Sequence, residues 1–168
     1  FSSFTATLRG TATPPDVQVS DRSIAFGFVN RQATTPVTAR TVITNEGRDT
    51  TTLNINSVDV SGNDAFTLET TPSQAGDAAV VGFDPDSSDS GVLRGTLTIA
   101  TNDPDEPSVT VSLVGTATAP DATVNRSSIA FGDVRADTGS ASETVQITNN
   151  GGVPVNVTST SLASTTQF

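Results

Sequence analysis

The sequence predicts an all-β protein made of tandem seven-stranded immunoglobulin-like β-sandwiches. Short runs of alternating apolar residues are separated by turn-forming clusters along the chain, and no stretch has the periodicity of a helix. The pentapeptide Ser-Ile-Ala-Phe-Gly occurs at 23–27 and again at 128–132, an offset of 105 residues. A period of this size is too long for a solenoid unit and is typical of separate domains in a row.

Further matches extend the repeat over much of the chain, with small changes of offset that loops tolerate better than strands do. The matching segments are 8–13 with 113–118, 15–16 with 120–121, 43–47 with 147–151, and Phe66 with Phe168. The predicted parts are residues 1–13 as the last strand of a preceding repeat, 16–118 as one complete domain, and 121–168 as the N-terminal half of a following domain.

Seven runs in the complete domain are rich in Val, Ile, Thr and Phe and are bounded by turn-forming residues. Each run predicts a strand, and seven strands in about a hundred residues are typical of an immunoglobulin-like sandwich. In chain order, the predicted strands are 17–29, 37–45, 51–60, 65–70, 78–84, 92–101 and 108–118.

Alternation along each run decides which side chains face the core. Because Phe26 recurs as Phe131, these two side chains are expected to fill equivalent interiors. The residues predicted to point inward are Ile24, Phe26, Thr41, Ile43, Leu53, Ile55, Val81, Phe83, Leu97, Ile99, Val109, Val111 and Leu113.

Glycine and proline mark the predicted turns. Gly47 and Gly151 close Asn-X-Gly segments, where a tight turn is expected to need a positive φ. Residues 102–107, Asn-Asp-Pro-Asp-Glu-Pro, predict a rigid polar turn before the last strand. Gly27 is expected to let the first strand bend, or cross between the sheets, at a β-bulge.

Acidic residues dominate the charge of the chain: 18 Asp and Glu against eight Arg and no Lys give a formal net charge of −10. Such a surface repels nucleic-acid phosphates and anionic lipids, so neither is an expected partner. No run is long and apolar enough for direct membrane insertion. The acidity is interpreted as adaptation to high salt, as in a halophilic archaeon, and the alternative is a genome that codes Arg in place of Lys.

The residue types of most enzyme sites are missing, because the chain has no His, Cys, Met, Trp, Tyr or Lys. Catalytic triads, thiol nucleophiles, Schiff-base lysines and the usual zinc sites are excluded, and no cofactor is expected. Two acidic loops are candidate sites for Ca²⁺, which takes about six to eight oxygen ligands, and the alternative is that both are solvated turns. The candidates are Asp84, Asp86 and Asp89 in one loop and Asp103, Asp105 and Glu106 in the other.

Two further features concern export and shape. Asn125 and Asn156 each begin an Asn-X-Ser/Thr triplet and are candidate glycosylation sites if the protein is exported; the alternative is chance. The links 13–16 and 118–121 contain Pro and no Gly. Such links are expected to be stiff spacers, so the array is expected to form an extended rod.

Six segments carry a family resemblance: 23–27, 44–47, 65–66, 81–85, 95–104 and 113–117. In this order they resemble the hydin-like, or ASPM/SPD/hydin (ASH), immunoglobulin-like repeat, which is often labelled choice-of-anchor D in prokaryotic surface proteins. The resemblance implies a seven-stranded sandwich related to the major sperm protein fold. It further implies tandem use as a scaffold or binding module, no general catalytic residues, and, for prokaryotic members, a place in large exported proteins.

Together these observations predict a non-enzymatic structural array outside a cell or on a virion, such as a stalk, fibre or filament. The expected partners are neighbouring repeats, other copies of the same chain, and other surface or virion proteins. The alternative is a ligand-recognition module that binds a glycan or Ca²⁺. A neighbouring chain could complete the half domain by strand addition, or its remaining strands could follow in the sequence.

Overall fold

Two four-stranded sheets pack face to face in the computed structural model, and a separate two-stranded hairpin follows them. The protein is therefore all-β, as predicted. The structure describes residues 1–7, 9–10, 13–47, 51–135 and 137–161. Among the residues that take part in the sequence matches, Leu8, Thr11, Ala12 and Phe168 lie outside the described ones.

Within the described residues, ten strands form these sheets. In chain order they are β1 (Val17–Val19), β2 (Ser23–Asn30), β3 (Val37–Asn45), β4 (Ile55–Gly62), β5 (Phe66–Thr70), β6 (Ala78–Phe83), β7 (Gly91–Thr101), β8 (Ser108–Thr118), β9 (Ala122–Val124) and β10 (Ile147–Asn149). One sheet has the order β1-β3-β6-β5, the other has the order β2-β8-β7-β4, and β9 pairs with β10. Strands β2 and β8 are parallel, and the other pairs are antiparallel.

The first predicted strand, 17–29, is two strands in different sheets, so the described sandwich has eight strands and not seven. Strand β1 pairs with β3, whereas β2 pairs with β8, and the chain crosses between the sheets at residues 20–22. The buried Thr41 hydroxyl holds this crossing. It donates to the Asp21 carbonyl oxygen at 3.2 Å and accepts from the Asp21 amide at 3.3 Å. The apolar alternation resumes after the polar residues 20–23, so the sequence predicts one strand where the structure has two.

The six other predicted strands are confirmed, with differences of a few residues at their ends. All but one of the residues predicted to point inward are buried. Ile55 is half-buried, because a register shift between Ile55 and Ser57 interrupts the alternation of β4 and places Val58 in the core. The core also contains Phe66 and Val29, which the predicted set omitted.

Three phenylalanines form the centre of the sandwich. The ring centroids of Phe66 and Phe83 are 4.7 Å apart with the rings stacked, and Phe26 approaches them from the facing sheet at 5.7 and 5.5 Å. Glycines make room for two of the rings. A Cβ at Gly115 would overlap the Phe83 ring, and one at Gly95 would lie 2.9 Å from the Phe66 ring. Tight packing of this kind fixes the spacing of the two sheets.

Glycine serves two different purposes in this fold. Gly27 lies at a β-bulge, as predicted: its φ is +71°, and the register of β2 against β8 shifts between Ala25 and Gly27. The crossing between the sheets lies elsewhere, at 20–22. Gly47 and Gly151 are described residues without a positive φ, so the turn prediction is wrong for them. At both positions the constraint is lack of space for a side chain.

Phe26 and Phe131 have unlike surroundings, contrary to the expectation from the repeat. Phe26 is 9% exposed, whereas Phe131 is 53% exposed and lies outside any strand. The physical reason is that residues 128–135 have no paired strand or facing sheet in the described part of the chain. The backbone is nevertheless similar, since Gly132 has a φ of +65° beside the +71° of Gly27.

Replacing Gly115 by alanine is expected to destabilise the sandwich by about 1–3 kcal/mol, because the added methyl group overpacks the Phe83 ring. Urea unfolding measures the change. Gly10→Ala is the matched control: nothing lies within 4 Å of a Cβ at Gly10, so its stability should stay within about 0.5 kcal/mol of the parent. Equal effects of the two substitutions would contradict the role given to Gly115.

Candidate functional site

A single asparagine holds the linker before β1 against the end of β3. Asn45 Oδ1 accepts hydrogen bonds from the amides of Asp16 and Gly47, both at 3.0 Å. Its Nδ2 donates to the Thr51 carbonyl oxygen at 2.9 Å. One side chain therefore forms hydrogen bonds with backbone groups of both the linker and the turn. We name residues 13–17 and 45–47 the N-terminal junction.

Gly47 allows the linker backbone to pass close to this turn. A Cβ at Gly47 would lie 2.7 Å from the Pro14 carbonyl oxygen, which is closer than real Cβ atoms approach, and 3.0 Å from Pro15 Cα. In addition, the Glu46 amide donates to the Asp16 carbonyl oxygen at 2.8 Å. Glycine is required here by contact with the linker.

Asp103 ties β1 to the facing sheet. Its Oδ2 accepts from the Val17 amide at 2.9 Å, and its Oδ1 accepts from the amides of Asp105 and Glu106 at 2.9 and 3.2 Å. These bonds hold the pKa of Asp103 below its ordinary value, with the bond from Val17 contributing most. The side chain is only 3% exposed, so the interpretation of this residue as part of a solvated turn is wrong.

An ion pair joins the same turn to the crossing at 20–22. The Arg22 guanidinium donates to both carboxylate oxygens of Glu106, at 2.8 and 2.9 Å. This hydrogen bonding lowers the pKa of Glu106 and raises that of Arg22. Both side chains are substantially exposed, so the pair orients the turn more than it stabilises the fold.

The linker before β9 is held in the same way, 104 or 105 residues further along. Asn149 Oδ1 accepts from the amides of Asp121 and Gly151 at 3.2 and 2.9 Å. Its Nδ2 donates to the Val153 carbonyl oxygen at 2.8 Å. The Asn150 amide donates to the Asp121 carbonyl oxygen at 2.8 Å, as Glu46 does to Asp16. We name residues 118–122 and 149–151 the C-terminal junction.

The C-terminal junction also contacts the sandwich that precedes it. A Cβ at Gly151 would overlap the Ala119 carbonyl oxygen, so the linker again passes close to a glycine. The Gly152 amide donates to Thr118 Oγ1 at 3.3 Å, and a Cβ at Gly152 would lie 3.0 Å from the Phe28 ring. These contacts join the hairpin to the end of β8 and to β2.

A further pair of hydrogen bonds recurs next to each junction. At the C-terminal junction this pair is formed by Asn125, one of the two candidate glycosylation sites. The Ser20 amide donates to the Val42 carbonyl oxygen at 2.9 Å, and Ser20 Oγ accepts from the Val42 amide at 3.0 Å. Asn125 makes the same two bonds with Gln146, at 3.0 and 2.9 Å. The Asn125 side chain is thus engaged through Oδ1, whereas Asn156 is an exposed residue outside any strand.

The Asn-X-Gly segments at 45–47 and 149–151 predict a turn conformation, whereas the structure shows that Asn45 and Asn149 bind the linkers. The Pro-Asp pairs at 15–16 and 120–121 recur with nearly the same offset as the asparagines, so the sequence shows both motifs repeated together but not the bonds between them.

Clefts open at both junctions, with volumes of about 640 Å³ at the first and about 450 Å³ at the second. Five carboxylates line the first cleft, including Asp103, Asp105 and Glu106. Across the part of the chain that the structure describes, no group of three or more acidic, His or Cys side chains is placed to hold a metal ion. The acidic cleft therefore has no metal-binding geometry.

In the loop with Asp84, Asp86 and Asp89, the carboxylates of Asp86 and Asp89 accept hydrogen bonds from other residues of the loop. Asp86 Oδ1 accepts from the amide and hydroxyl of Ser88 at 2.7 and 2.6 Å, which lowers the pKa of Asp86. Asp89 Oδ2 accepts from the Asp86 amide at 3.0 Å, and its Oδ1 lies 3.4 Å from Asn63 Nδ2. A cavity of about 250 Å³ beside this loop includes Asp84. The three carboxylates do not form a metal-binding group.

No helix among the described residues is long and apolar enough to cross a membrane.

Comparison with known proteins supports the fold. No family model and no curated protein match the chain. Eight chains of solved structures match it, among them a protein of unknown function from Porphyromonas gingivalis W83, with a TM-score of 0.51 and 17% identity. The match covers 64% of this chain and 49% of that one, so this chain spans about half the length of that protein. At this identity the likeness concerns the sandwich fold alone.

Asp103→Asn is expected to lower the melting temperature at about pH 7, because one amide oxygen must replace two carboxylate oxygens that accept three backbone bonds. The folded-state pKa of Asp103 is lowered, so its stabilisation is complete above the ordinary pKa of 3.8 and is lost as the pH falls below it. The variant should lack this part of the acid transition. Thermal melts between about pH 7 and pH 2 measure both effects.

Asp105→Asn is the matched control, since it makes the same charge change at an exposed position of the same turn. Its melting temperature should stay close to that of the parent. Equal losses in the two variants would show that charge, and not the buried hydrogen bonds, determines the effect.

Calcium is expected to leave the melting temperature unchanged, because Asp86 and Asp89 are engaged within their own loop. Melts with up to about 5 mM CaCl₂ test this, since extracellular calcium modules bind in the range of about 0.1–1 mM. The double variant Asp86→Asn with Asp89→Asn is melted in parallel. A calcium-dependent rise in the parent that the variant lacks would establish the site suggested by the sequence.

Proposed function

We propose that the chain is part of a non-enzymatic structural array, in which immunoglobulin-like sandwiches of about 100 residues follow one another on fixed linkers. One observation carries this proposal: the asparagine-centred bonds of the N-terminal junction recur at the C-terminal junction. The array acts through its length, its shape and its contacts with other proteins.

The geometry of each junction supports a stiff connection. Asn45 and Asn149 bind the backbone of the residue that enters the next module, and the linker crosses a glycine at a distance that leaves no room for a side chain. Proline within each linker restricts φ further. Modules joined by the same contacts follow one another at the same angle, which produces an extended, regular rod.

The residue types present at the clefts support catalysis or ligand recognition less well than they support a structural role. The chain has no His, Cys or Lys to act as a nucleophile or base near neutral pH. Every buried polar side-chain atom of the described residues has a hydrogen-bond partner, so none is left aimed at a ligand. Trp and Tyr, on which sugar rings stack, are also absent. Recognition of a glycan or Ca²⁺ is therefore the weaker candidate.

The motifs that resemble the hydin-like repeat support the same proposal, because that repeat is used in tandem as a scaffold. The eighth strand is compatible with it: the predicted first strand is divided by the crossing at 20–22, and the order of the motifs is unchanged. We assign the array to the outside of a cell or to a virion, since its charge of −10 without Lys suits a surface exposed to high salt. Its partners are then neighbouring repeats, other copies, and other surface or virion proteins.

Loosening the C-terminal junction should broaden the distribution of distances between the two modules that it joins. The chain has no Cys, so spin labels at Asp59→Cys and Thr148→Cys report one distance by electron–electron double resonance. A narrow distribution is expected for the parent chain. Gly151→Ala should broaden it, because the methyl group overlaps the Ala119 carbonyl oxygen.

Gly10→Ala in the labelled chain is the control and should leave the distribution narrow, since its Cβ would meet open space. A broad distribution in the parent would overturn the proposal, because a flexible link cannot transmit a fixed angle. An unchanged distribution in Gly151→Ala would mean that the junction does not set the angle.

A further inference from the structure

Asn150 is the one asparagine of the sequence that is followed directly by glycine. In such a pair the glycine amide nitrogen can attack the asparagine side chain, because glycine has no Cβ to shield the nitrogen and its backbone reaches the required conformations easily. The pair Asn150-Gly151 lies within the C-terminal junction. The asparagine with the most reactive sequence context therefore lies where the next module is fixed.

The reaction is deamidation, and water is its only co-reactant. The Gly151 nitrogen loses its proton to solvent and bonds to Asn150 Cγ, while the side-chain nitrogen takes up a proton and leaves as ammonia. Water then opens the resulting succinimide ring at one of its two carbonyl carbons. One opening gives aspartate, and the other gives isoaspartate, in which the main chain is longer by one carbon.

Both reacting groups are held by hydrogen bonds in the structure. The Gly151 amide donates to Asn149 Oδ1 at 2.9 Å, and Asn150 Nδ2 donates to Thr123 Oγ1 at 3.2 Å. The Asn150 amide donates to the Asp121 carbonyl oxygen at 2.8 Å. Attack requires the Gly151 amide to leave Asn149 and the Asn150 side chain to turn toward it. The reaction therefore proceeds through a locally opened junction.

Packing against the linker restricts the same glycine. A Cβ at Gly151 would overlap the Ala119 carbonyl oxygen and would lie 2.7 Å from the Asp121 nitrogen. The Gly151 backbone consequently has little room to move unless the linker is displaced. Opening of the pair and opening of the junction are thus one event.

We propose that Asn150 is a deamidation site controlled by the C-terminal junction. The closed junction slows the reaction, and isoaspartate formed at residue 150 then keeps the junction open. This inference rests on the proposed function, because it describes how a fixed link of the array becomes a loose one. The modification needs no enzyme and accumulates with the time that the junction spends open.

The N-terminal junction indicates which product disturbs the linker. Glu46 occupies the position of Asn150, and its amide makes the same bond to the Asp16 carbonyl oxygen at 2.8 Å. Glu46 is exposed within the complete sandwich, so this position is open to water and accepts a carboxylate. Aspartate is therefore compatible with a closed junction. Isoaspartate is not, because the added main-chain carbon displaces Gly151 from Asn149.

Mass spectrometry of proteolytic peptides tests the control by the junction. The parent and Asn149→Ala are incubated in mildly alkaline buffer, and deamidation at residue 150 is followed over time. Asn149→Ala should react about tenfold faster, because the Gly151 amide loses its partner and the junction opens more often. In urea the two chains should react at similar rates. Equal rates of the folded chains would overturn the proposal.

Two variants are matched controls. Asn45→Ala removes the corresponding asparagine of the N-terminal junction and should leave the rate at residue 150 within about twofold of the parent. Asn149→Asp keeps a side-chain oxygen for the Gly151 amide and should react at close to the parent rate. Either control reacting as fast as Asn149→Ala would overturn the proposal, since loss of the bond to Gly151 would then not explain the acceleration.

Distance measurement tests the effect on the junction. When the spin-labelled chain is incubated, its distance distribution should broaden in step with the isoaspartate content. Asn150→Gln in the labelled chain is the control, because its longer side chain closes a larger ring far more slowly, and its distribution should stay narrow. Freshly purified Asn150→Asp should also remain narrow, as the Glu46 junction predicts. A parent distribution that stays narrow while isoaspartate accumulates would overturn the proposal.

This inference and the proposed function fail separately. A broad distribution in the fresh labelled chain overturns the fixed array, whatever the rate of deamidation. A narrow distribution in the fresh chain, together with equal deamidation rates in the folded parent and Asn149→Ala, overturns the control of Asn150 and leaves the array intact.

Discussion

The stacked rings of Phe66 and Phe83, with Phe26 against them, hold the two sheets of this protein together. No disulfide or metal-binding group reinforces the described residues, so packing must provide the stability. Two of these rings require glycine opposite them, at Gly95 and Gly115. Because ring and glycine belong to facing sheets, the pairs fix both the spacing of the sheets and the alignment of β7 and β8 beneath them.

Much of this architecture is readable from alternation alone, because the period of two residues is a property of each strand. It identifies the strands and nearly all of the core, and it fails where a strand is irregular. The crossing at 20–22 interrupts a run that remains apolar on both sides, and the bulge after Ile55 exchanges one inward position for Val58. Both failures are local changes of register, which depend on neighbouring strands that a linear pattern does not contain.

Less of the candidate site could be predicted. Asn45 and Asn149 were visible as a repeated motif, but their partners lie about 28 residues earlier in the chain, and only pairing of β1 with β3, or of β9 with β10, brings them together. Asp103 was ambiguous for a related reason. Its sequence neighbours are polar and charged, whereas its burial results from the distant β1, whose first amide it binds.

The parallel pairing of β2 with β8 affects how the sandwich carries mechanical load. Tension along the chain enters near Asp16 and leaves near Thr118, at the start of β1 and the end of β8. Since β2 and β8 run in the same direction, opposite pulls at these two points slide the strands past each other. The backbone hydrogen bonds along their seven paired positions then bear the force at the same time, and not one after another. Resistance to pulling therefore comes from all of these bonds together.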